Sequence, residues 1–546
     1  MNANYGTVSA YIVQIDERRI VPGEITWEDG IITGICEPAK PKPDLSYLLP
    51  GFIDAHVHIE SSMLTPAEFA RIACRHGTVA TVSDPHEIAN VLGLDGVRFM
   101  IDNAALTPMP IFFGAPSCVP ATPFETAGGR LESEQLELLF ADKSVTYLSE
   151  MMNYPGVLNN APDIIAKLQL AQRYACPIDG HAPGLTGQDA IRYAQAGIST
   201  DHECYTLMEA EAKLAAGMHI LIREGSAARN FDVLHPLISS HPDKVMFCSD
   251  DKHPDDLVAG HINRLAARAV AEGHDIFNIL RCACINPISH YKLPLGRLRV
   301  GDRMDAVEVD NLQNFAPLRT WIAGHKVAEN NNSLLACVKP AAINLFNARE
   351  ITPGDLDVEH VGQKIRVIKA VDGALLTEEI LHIPKLQHQK IVADPGRDIL
   401  LLTVVNRYRP AKPAIAFIQG FGLQQGALAS SVAHDSHNII AVGTDAESIC
   451  KAVNSIINAK GGIAVATLKG VELLPLPIAG LMSDLDGDEV ANRYAELDSL
   501  AKQMGSELRA PFMTLSFMAL LVIPNLKLSD QGLFDSSTFQ FTSLTV

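Results

Sequence analysis

Several features of secreted and membrane proteins are missing from this sequence. Its ten cysteines include no C-x-x-C pair and follow no regular spacing, which argues against a disulfide framework or a structural zinc site. The longest apolar stretches, such as 517–524, are far shorter than the roughly 18 residues that cross a bilayer. The N-terminal segment has no basic stretch followed by an apolar core. We therefore expect a cytoplasmic protein with reduced thiols.

Basic residues are also scarce. Lysine and arginine number 44 against 63 aspartates and glutamates, which gives a formal net charge of -19. An acidic surface repels phosphate, so neither a nucleic acid nor an anionic membrane is expected as a partner. A small neutral or cationic molecule is the more suitable substrate. The length of 546 residues predicts several domains with ample apolar cores.

The two ends of the first 372 residues share one kind of pattern. Residues 11–49 alternate polar and apolar positions around Pro22-Gly23 and Asp29-Gly30, as short antiparallel strands with tight turns do, and the proline-rich corner EPAKPKPD interrupts them. The segment LPLGRLRVGDRMDAVEVDNL returns to the same pattern, which continues to about Asp372. We therefore predict that 1–50 and 295–372 form one small β-sandwich domain, split by the sequence between them.

The middle of the chain, 51–294, consists of short apolar runs separated by helical stretches. Segments such as DIIAKLQLAQRYA place apolar residues three and four positions apart, as amphipathic helices do. Eight strand-like runs alternating with helices over about 240 residues predict an α/β fold, a (β/α)8 barrel of the TIM type. The runs are PGFIDAHVH, GTVATVSD, MPIFFGAP, KSVTYLSE, CPIDGHAPG, AGISTDHE, GMHILIRE and DKVMFCSDD.

The remainder, 380–546, mixes strand-like segments with a helical one and predicts a separate C-terminal α/β domain. Strands are expected in DILLLTVV, AIAFIQGF, HNIIAVGT and GIAVATL, and a helix in ESICKAVNSIINAKG. This domain contains a polar cluster, His434-Asp435-Ser436-His437-Asn438. It has two interpretations, a lid over the barrel mouth or, as we favour, a surface turn before the next strand.

The first run of the barrel carries potential metal ligands. In PGFIDAHVHIESSM, Asp54, His56, His58 and Glu60 occupy alternate positions. Two histidines two residues apart in a strand point to the same side, so both imidazoles can bind one ion. Asp54 and Glu60 share that side, but we expect them to be orienting or surface groups.

Similar residues close other runs, at the end of the barrel where active sites are built. Singly, such residues are more often turn-formers or hydrogen-bonded surface groups. Their common register favours a shared site. Four imidazoles and two carboxylates suffice for two divalent ions if one carboxylate bridges them, and a water shared by such a pair yields hydroxide at neutral pH. Hydrolysis is the expected chemistry, and the six residues are His56, His58, Glu150, His181, His202 and Asp250.

These motifs resemble the amidohydrolase superfamily and, within it, the bacterial adenine deaminases. The resemblance rests on long segments that span most of the chain, and superfamily members that bridge their metals with a strand-four lysine differ here, because Glu150 takes that place. The resemblance implies metal-dependent hydrolysis of adenine to hypoxanthine and ammonia, in purine salvage. The segments are PGFIDAHVHIESSML, SDPHEIANV, YLSEMMNYPGV, DGHAPGL, STDHECYT, CSDDKHPDDL, NPISHYKLPLGRLRVGD and AHDSHNIIAVGTD.

The resemblance also implies individual roles. His56, His58 and Asp250 would hold one metal, His181 and His202 the other, with Glu150 bridging them. We expect Asp250 to accept the proton of the attacking hydroxide and pass it to the departing amine.

A ring nitrogen of the substrate must also gain a proton. The candidates to provide it are His86 and Glu87, with Asp84 orienting His86. Asp84 and His86 could instead form a third, weaker metal site, or Asp84 could only cap a turn.

The ligand set has no thiolate, which favours Mn2+ or Fe2+ while leaving Zn2+ open. Two such ions are the expected cofactors, and adenine and water the expected small-molecule partners. We also expect a homo-oligomer, taken as a dimer. Two other interpretations are an amidohydrolase acting on another cyclic amidine or amide, and a metal-free barrel that serves as a scaffold. The scaffold would have eroded ligand positions, whereas all of them are filled here.

Overall fold

A computed structural model describes residues 5–36 and 45–546. The proline-rich corner EPAKPKPD lies outside the described residues. Within the described ranges, no helix combines the length and apolar character needed to span a membrane.

The two ends of the first 333 residues share one eight-stranded sheet. The strand Tyr47–Pro50 joins them, because it pairs in parallel with the first strand and antiparallel with Ala306–Val309. The alternation of buried and exposed positions along these strands accounts for the polar and apolar alternation of the sequence. In spatial order the strands are Asn332–Ser333, His325–Glu329, Pro317–Ile322, Ala306–Val309, Tyr47–Pro50, Tyr5–Gln14, Arg19–Glu28 and Ile31–Cys36.

Between these ends lie eight parallel strands, one in each of the eight apolar runs. They form a curled sheet of five strands and a sheet of three. The first and last strands approach each other, since Val57 and Asp250 form a parallel bridge. This is a mixed α/β unit with a buried parallel sheet, which explains its continuous apolar runs. The strands are Phe52–Val57, Thr78–Ser83, Ile111–Ala115, Tyr147–Met151 and Ile178–Gly180, then Thr200–Asp201, His219–Arg223 and Val245–Cys248.

Helices follow most of these strands and cover the sheet. In Ile262–Ala271, for example, the buried residues recur every three or four positions, so that one stripe faces the strands. The helices are Pro66–Ala73, His86–Leu92, Leu94–Ala104, Ser133–Ala141, Tyr154–Leu158, Pro162–Arg173, Gly187–Gln195, Leu207–Ala215, Phe231–Leu234, Leu237–Ser240, Pro254–Ala259, Ile262–Ala271, Ile276–Leu280 and Asn286–Tyr291.

The C-terminal part is built on a second eight-stranded sheet. Its strand Ile365–Lys369 pairs with Ala414–Gln419. The sequence pattern predicts instead that all strands up to residue 372 belong to the first sheet. Alternation identifies a strand but not its partner, and the partner here lies in the later sequence. In spatial order the strands are Glu378–His382, Ile365–Lys369, Ala414–Gln419, Leu400–Val405, Ile439–Gly443, Ala427–Ser430, Gly462–Thr467 and Gly470–Pro475.

Three helices and two small sheets complete this part. The helix Ala446–Ala459 packs its buried stripe on the sheet. The helix Gly487–Gln503 contacts the last two strands of the sheet and also the parallel-strand unit, where Arg71 binds Asp486 at 2.8 Å and Arg75 binds Asp488 at 2.7 Å. The other elements are the helix Pro511–Phe517, the strands Val358–Glu359, Lys385–Gln387 and Lys390–Val392, and the strands Leu526–Ser529, Gly532–Asp535 and Gln540–Phe541.

Candidate active site

The six residues singled out by the sequence meet at the carboxyl ends of the parallel strands. Each lies in the last positions of a strand or within two residues after it, and each is buried. Parallel strands end at the same edge of their sheet, which brings together side chains up to 194 positions apart, from His56 to Asp250.

One group of donor atoms comes from the first and last strands. His56 Nε2 lies 3.2 Å from His58 Nε2, and Asp250 Oδ1 lies 3.1 Å from His58 Nε2 and 3.6 Å from His56 Nε2. Atoms bound to a common ion at about 2.1 Å lie roughly 3.0–3.5 Å from one another. These three atoms have the spacing of a metal-binding set.

A second group forms around Glu150. Its Oε2 lies 2.9 Å from His181 Nδ1 and 3.0 Å from His202 Nε2. Its other oxygen, Oε1, lies 3.5 Å from His58 Nε2, in the first group. The two oxygens of one carboxylate therefore face the two groups of imidazoles, as a bridging ligand requires.

The electrostatics of the site favour bound cations. Burial opposes ionisation of Glu150, but His181 and His202 hold its pKa well below its usual range. Burial lowers the pKa of His202, yet Glu150 raises it to about 9. Burial together with His202 and His58 lowers the pKa of His56, so that its imidazole is neutral, as a metal ligand must be. Charged carboxylates beside imidazoles provide a site where positive charge is stabilised.

Two further buried residues lie beside the donor atoms, and the sequence did not predict their contacts with the ligands. Arg223 forms ion pairs with both Glu203 and Asp250. Burial raises the pKa of Asp250, but Arg223 and His58 outweigh it and keep that pKa well below its usual range. Glu203 Oε1 also lies 3.5 Å from His202 Nε2. The only sequence signals were the position of Arg223 at a strand end and of Glu203 in STDHE.

Asp54, the first acidic residue of the opening motif, lies behind the metal-binding set. It accepts hydrogen bonds from the backbone N–H of Ser249 at 3.0 Å and from His261 Nε2 at 2.8 Å. It thereby connects the first strand to the segment that carries Asp250. Asp54 is therefore not a surface group, which leaves the orienting role of the two that the sequence allowed.

The second strand contributes a further polar group. His86 Nδ1 lies 3.1 Å from Asp84 Oδ2 and 3.6 Å from Glu150 Oε1. Asp84 Oδ1 also accepts the backbone N–H of His86 at 3.1 Å, so Asp84 stabilises the turn as well as the ring. Together with His58, these side chains form a group compact enough to hold a cation.

The polar cluster 434–438 is not a surface turn, and this expectation was wrong. His434, Asp435 and His437 are all buried. His434 Nδ1 and His437 Nε2 each contact one oxygen of Glu87, which follows the second parallel strand. Sequence reasoning missed the contact because 347 positions separate Glu87 from His434.

The C-terminal part covers the carboxyl ends of the parallel strands and so encloses the site. The cavity over the donor atoms has a volume of about 30 Å3. Its lining combines the strand-end residues with apolar side chains from the C-terminal part. It is lined by His58, His86, Glu87, Glu150, Met152, His181, His202, Glu203, Arg223, Asp250, Asp251, Leu375, His434, Asp435, Phe517 and Leu520.

Two further histidines, His253 and His290, lie outside the cavity. His253 is buried against the ring of Tyr494, with a centroid separation of 4.6 Å, and burial lowers its pKa to about 3. His290 contacts His219, and burial likewise lowers its pKa to about 3. Neither residue lines the cavity.

The sequence matches two known protein families. Residues 47–327 match the amidohydrolase family, and residues 374–540 match the adenine deaminase C-terminal domain. The chain therefore belongs to the amidohydrolase family, whose members are metal-dependent hydrolases.

Several proteins similar to this chain over nearly its whole length share one name. A protein named adenine deaminase from Salinibacter ruber is 52% identical over 98% of this chain and 98% of its own length. Proteins of the same name from a Sulfurovum species and from Methanosarcina mazei are 51% and 50% identical, over 99% and 98% of this chain and 98% of their own lengths.

Proposed function

We propose that the protein catalyses the hydrolytic deamination of adenine to hypoxanthine and ammonia, in purine salvage. Relatives named adenine deaminase, about half identical over nearly the whole chain, support this proposal. The observation that carries it is the carboxylate of Glu150, whose two oxygens face separate groups of imidazoles. A water molecule replaces the amino group at C6, so its oxygen becomes the carbonyl oxygen of hypoxanthine.

We propose that two divalent ions bind here. His56, His58 and Asp250 would hold one, His181 and His202 the other, and Glu150 would bridge them. Ions in these positions would lower the pKa of water and supply a nucleophile at neutral pH. Imidazole and carboxylate donors without thiolate favour Mn2+ or Fe2+, with Zn2+ as the alternative.

The remaining steps are proton transfers by side chains. Asp250 would accept the proton of the attacking water and give it to the departing amine, since its carboxylate lies among the donor atoms and is kept ionised by Arg223. His86 would protonate the ring nitrogen next to C6, oriented by Asp84 at 3.1 Å. Glu87 is the weaker candidate, because both of its oxygens are engaged by histidines.

We further propose that the eight parallel strands close into a TIM-type barrel. The bridge between Val57 and Asp250 and the hydrogen bond from Ser199 N to Ile178 O at 2.8 Å support closure at both seams. Residues 51–294 would be this barrel, the strands on either side of it a small β domain, and residues from about 350 onwards the C-terminal domain. A cytoplasmic location and a homodimer stay predictions.

The test is to prepare the apoprotein with a chelator, reload it separately with Mn2+, Fe2+ or Zn2+, and measure ammonia release from adenine. We expect activity with Mn2+ or Fe2+ at about two ions per chain, and little with adenosine, guanine or cytosine. His181→Asn should abolish it, whereas His325→Asn at an exposed position should not. Full turnover by the metal-free protein would refute the proposal, and preference for another cyclic amidine would correct the substrate.

A further inference from the structure

A second cavity, here called the basic pocket, lies outside the candidate active site. It has a volume of about 490 Å3, a size typical of small-molecule pockets, and it shares none of its described lining residues with the active-site cavity. Five basic side chains line it against three acidic ones, although the whole chain has a formal net charge of -19. The pocket is thus a local exception to the acidic composition. The five are Arg229, Lys252, Arg264, Arg268 and Arg509.

The three acidic residues of the lining are paired with two of these basic side chains. Arg268 lies 2.6 Å from both Glu224 Oε2 and Asp232 Oδ1. Arg229 Nη2 lies 3.6 Å from Asp256 Oδ2. Within the described part of the chain, the other three basic side chains form no ion pair with an acidic residue. The unpaired charge in the basic pocket is therefore positive.

Lys252 is the buried member of the three unpaired basic residues. It is 8% exposed and lines the pocket, and its ammonium group forms neither a hydrogen bond nor an ion pair with any described residue. A buried ammonium group is stable only when it is hydrogen-bonded or paired with an opposite charge. Its three N–H donors are thus left for a ligand, and their charge favours an anion.

The start of the helix Ile262–Ala271 faces the same pocket. Gly260, His261 and Arg264 all belong to the lining, and the side chain of His261 does not cap the helix. The free N–H groups and the dipole at a helix N-terminus favour a bound anion. A side chain at position 260 would come within 2.3 Å of Arg264 Cγ, so Gly260 leaves room for Arg264 to fold across the helix start. The helix start, Arg264 and Lys252 therefore face one cavity.

We propose that the basic pocket binds a phosphate group, either as free phosphate or as a phosphomonoester, through Lys252, Arg264 and the start of the helix Ile262–Ala271. A phosphate group carries up to two negative charges near neutral pH and three strong acceptor oxygens, which match this set of donors. The pocket is larger than a phosphate group requires, so a sugar or nucleoside can be accommodated. Glu224 Oε1 has no hydrogen-bond partner among the described residues and is available to a hydroxyl of such a ligand.

The basic pocket lies behind the proposed metal ligands. Lys252 follows Asp250 by two positions, and His261 Nε2 lies 2.8 Å from Asp54, which accepts the backbone N–H of Ser249. A phosphate group there would contact residues that support the metal-binding set, but none of the proposed metal ligands lines the pocket. Phosphate binding should therefore survive the loss of a metal ligand.

The test is isothermal titration calorimetry of the metal-loaded protein at constant chloride in a phosphate-free buffer. The probes are inorganic phosphate, ribose 5-phosphate and adenosine 5′-monophosphate, with ribose and adenosine as uncharged controls. Wild type is compared with Lys252→Met and Arg264→Gln, and with Arg98→Gln, which removes an exposed arginine outside both cavities. His181→Asn distinguishes the basic pocket from phosphate bound to the proposed metals.

We expect one saturable site per chain for a phosphorylated probe, and no binding of ribose there. Lys252→Met and Arg264→Gln should each weaken binding at least about tenfold, because each removes a charge-assisted hydrogen bond. Arg98→Gln and His181→Asn should bind as wild type does. Equal affinities for inorganic phosphate and ribose 5-phosphate would identify free phosphate as the ligand, whereas tighter binding of ribose 5-phosphate or the nucleotide would identify a phosphomonoester.

Absence of saturable binding of all three phosphorylated probes to wild type would overturn the proposal. So would affinities that Lys252→Met and Arg264→Gln leave unchanged, or binding that only His181→Asn abolishes. If Lys252→Met does not fold, Arg264→Gln decides, since Arg264 is exposed. None of these readouts involves ammonia release, so the outcome is independent of the proposed deamination.

Discussion

Lys527 is expected to make the stability of the protein depend on pH. It is 0% exposed, and its Nζ donates to the carbonyls of Leu375 at 2.7 Å and Phe517 at 3.1 Å. Both of these residues line the active-site cavity. Burial lowers the pKa of Lys527 from 10.5 to about 7. The lysine thus anchors the apolar side of the cavity and is most stable there as a neutral amine.

The direction of this pH dependence follows from how many protons the folded and unfolded chains bind. Between pH 7 and 10.5 the unfolded chain keeps a proton on this lysine that the folded chain has released, so the free energy of unfolding rises with pH across that window. Below pH 7 both states are protonated and the full cost of burying the charge is present. At about 1.36 kcal/mol per pKa unit, the rise amounts to roughly 5 kcal/mol.

The measurement is urea unfolding of wild type, Lys527→Met and the exposed control Lys469→Met from pH 6 to pH 10. Methionine has a similar length and no charge, but it loses two hydrogen bonds, so its stability at a single pH is not informative. The difference between wild type and Lys527→Met should move in favour of wild type by several kcal/mol as pH rises, and Lys469→Met should follow wild type. A difference that is constant with pH, or that moves the other way, would refute this reasoning.

Three further substitutions test the site by metal content and ammonia release. Glu150→Gln removes the charge shared by the two groups of imidazoles, and bound metal should fall below one ion per chain with activity reduced well over about 100-fold; a variant that kept two ions would contradict bridging. Arg223→Met leaves Asp250 without its buried ion pair, and we expect metal affinity to fall about 10- to 100-fold in chelator competition. Asp54→Asn weakens the contact with His261 and should lower affinity to a similar extent, with no effect if Asp54 only fills space.

The sequence predicted which strand-end side chains lie close together. His56 and Asp250 each close an apolar run, and the rule that parallel strands end at one edge is sufficient to bring them together. It did not predict that Arg223 would pair with Asp250, because the direction of a long side chain at a strand end depends on packing around it. Periodicity identified the strand Ile365–Lys369 but not the sheet it joins. The period of the apolar residues locates strands and helices, whereas the pairing of strands and side chains depends on contacts between distant segments.

The polar cluster 434–438 is a clearer case of contacts that local sequence does not reveal. His434 and Asp435 precede a strand and have the composition of a turn, and nothing local distinguishes a turn in solvent from one pressed into a cavity. These residues are buried because Glu87 and Arg407, which lie in other parts of the chain, contact them and their neighbour His437. Lys527 is a similar case, since a lysine in a short alternating segment is expected to be exposed.

The charge of the cavity links the acidic composition of the chain to the chemistry of the site. Six carboxylates line the cavity, against one permanently charged cation and five imidazoles. Buried carboxylates are stable only with positive charge nearby, and two divalent ions would supply four charges in addition to those of Arg223 and the histidines. A phosphorylated substrate would place further negative charge among the same groups, whereas a neutral base adds none. The six are Glu87, Glu150, Glu203, Asp250, Asp251 and Asp435. An acidic lining therefore favours bound cations and a neutral substrate, which is the combination expected for metal-dependent deamination of a free base.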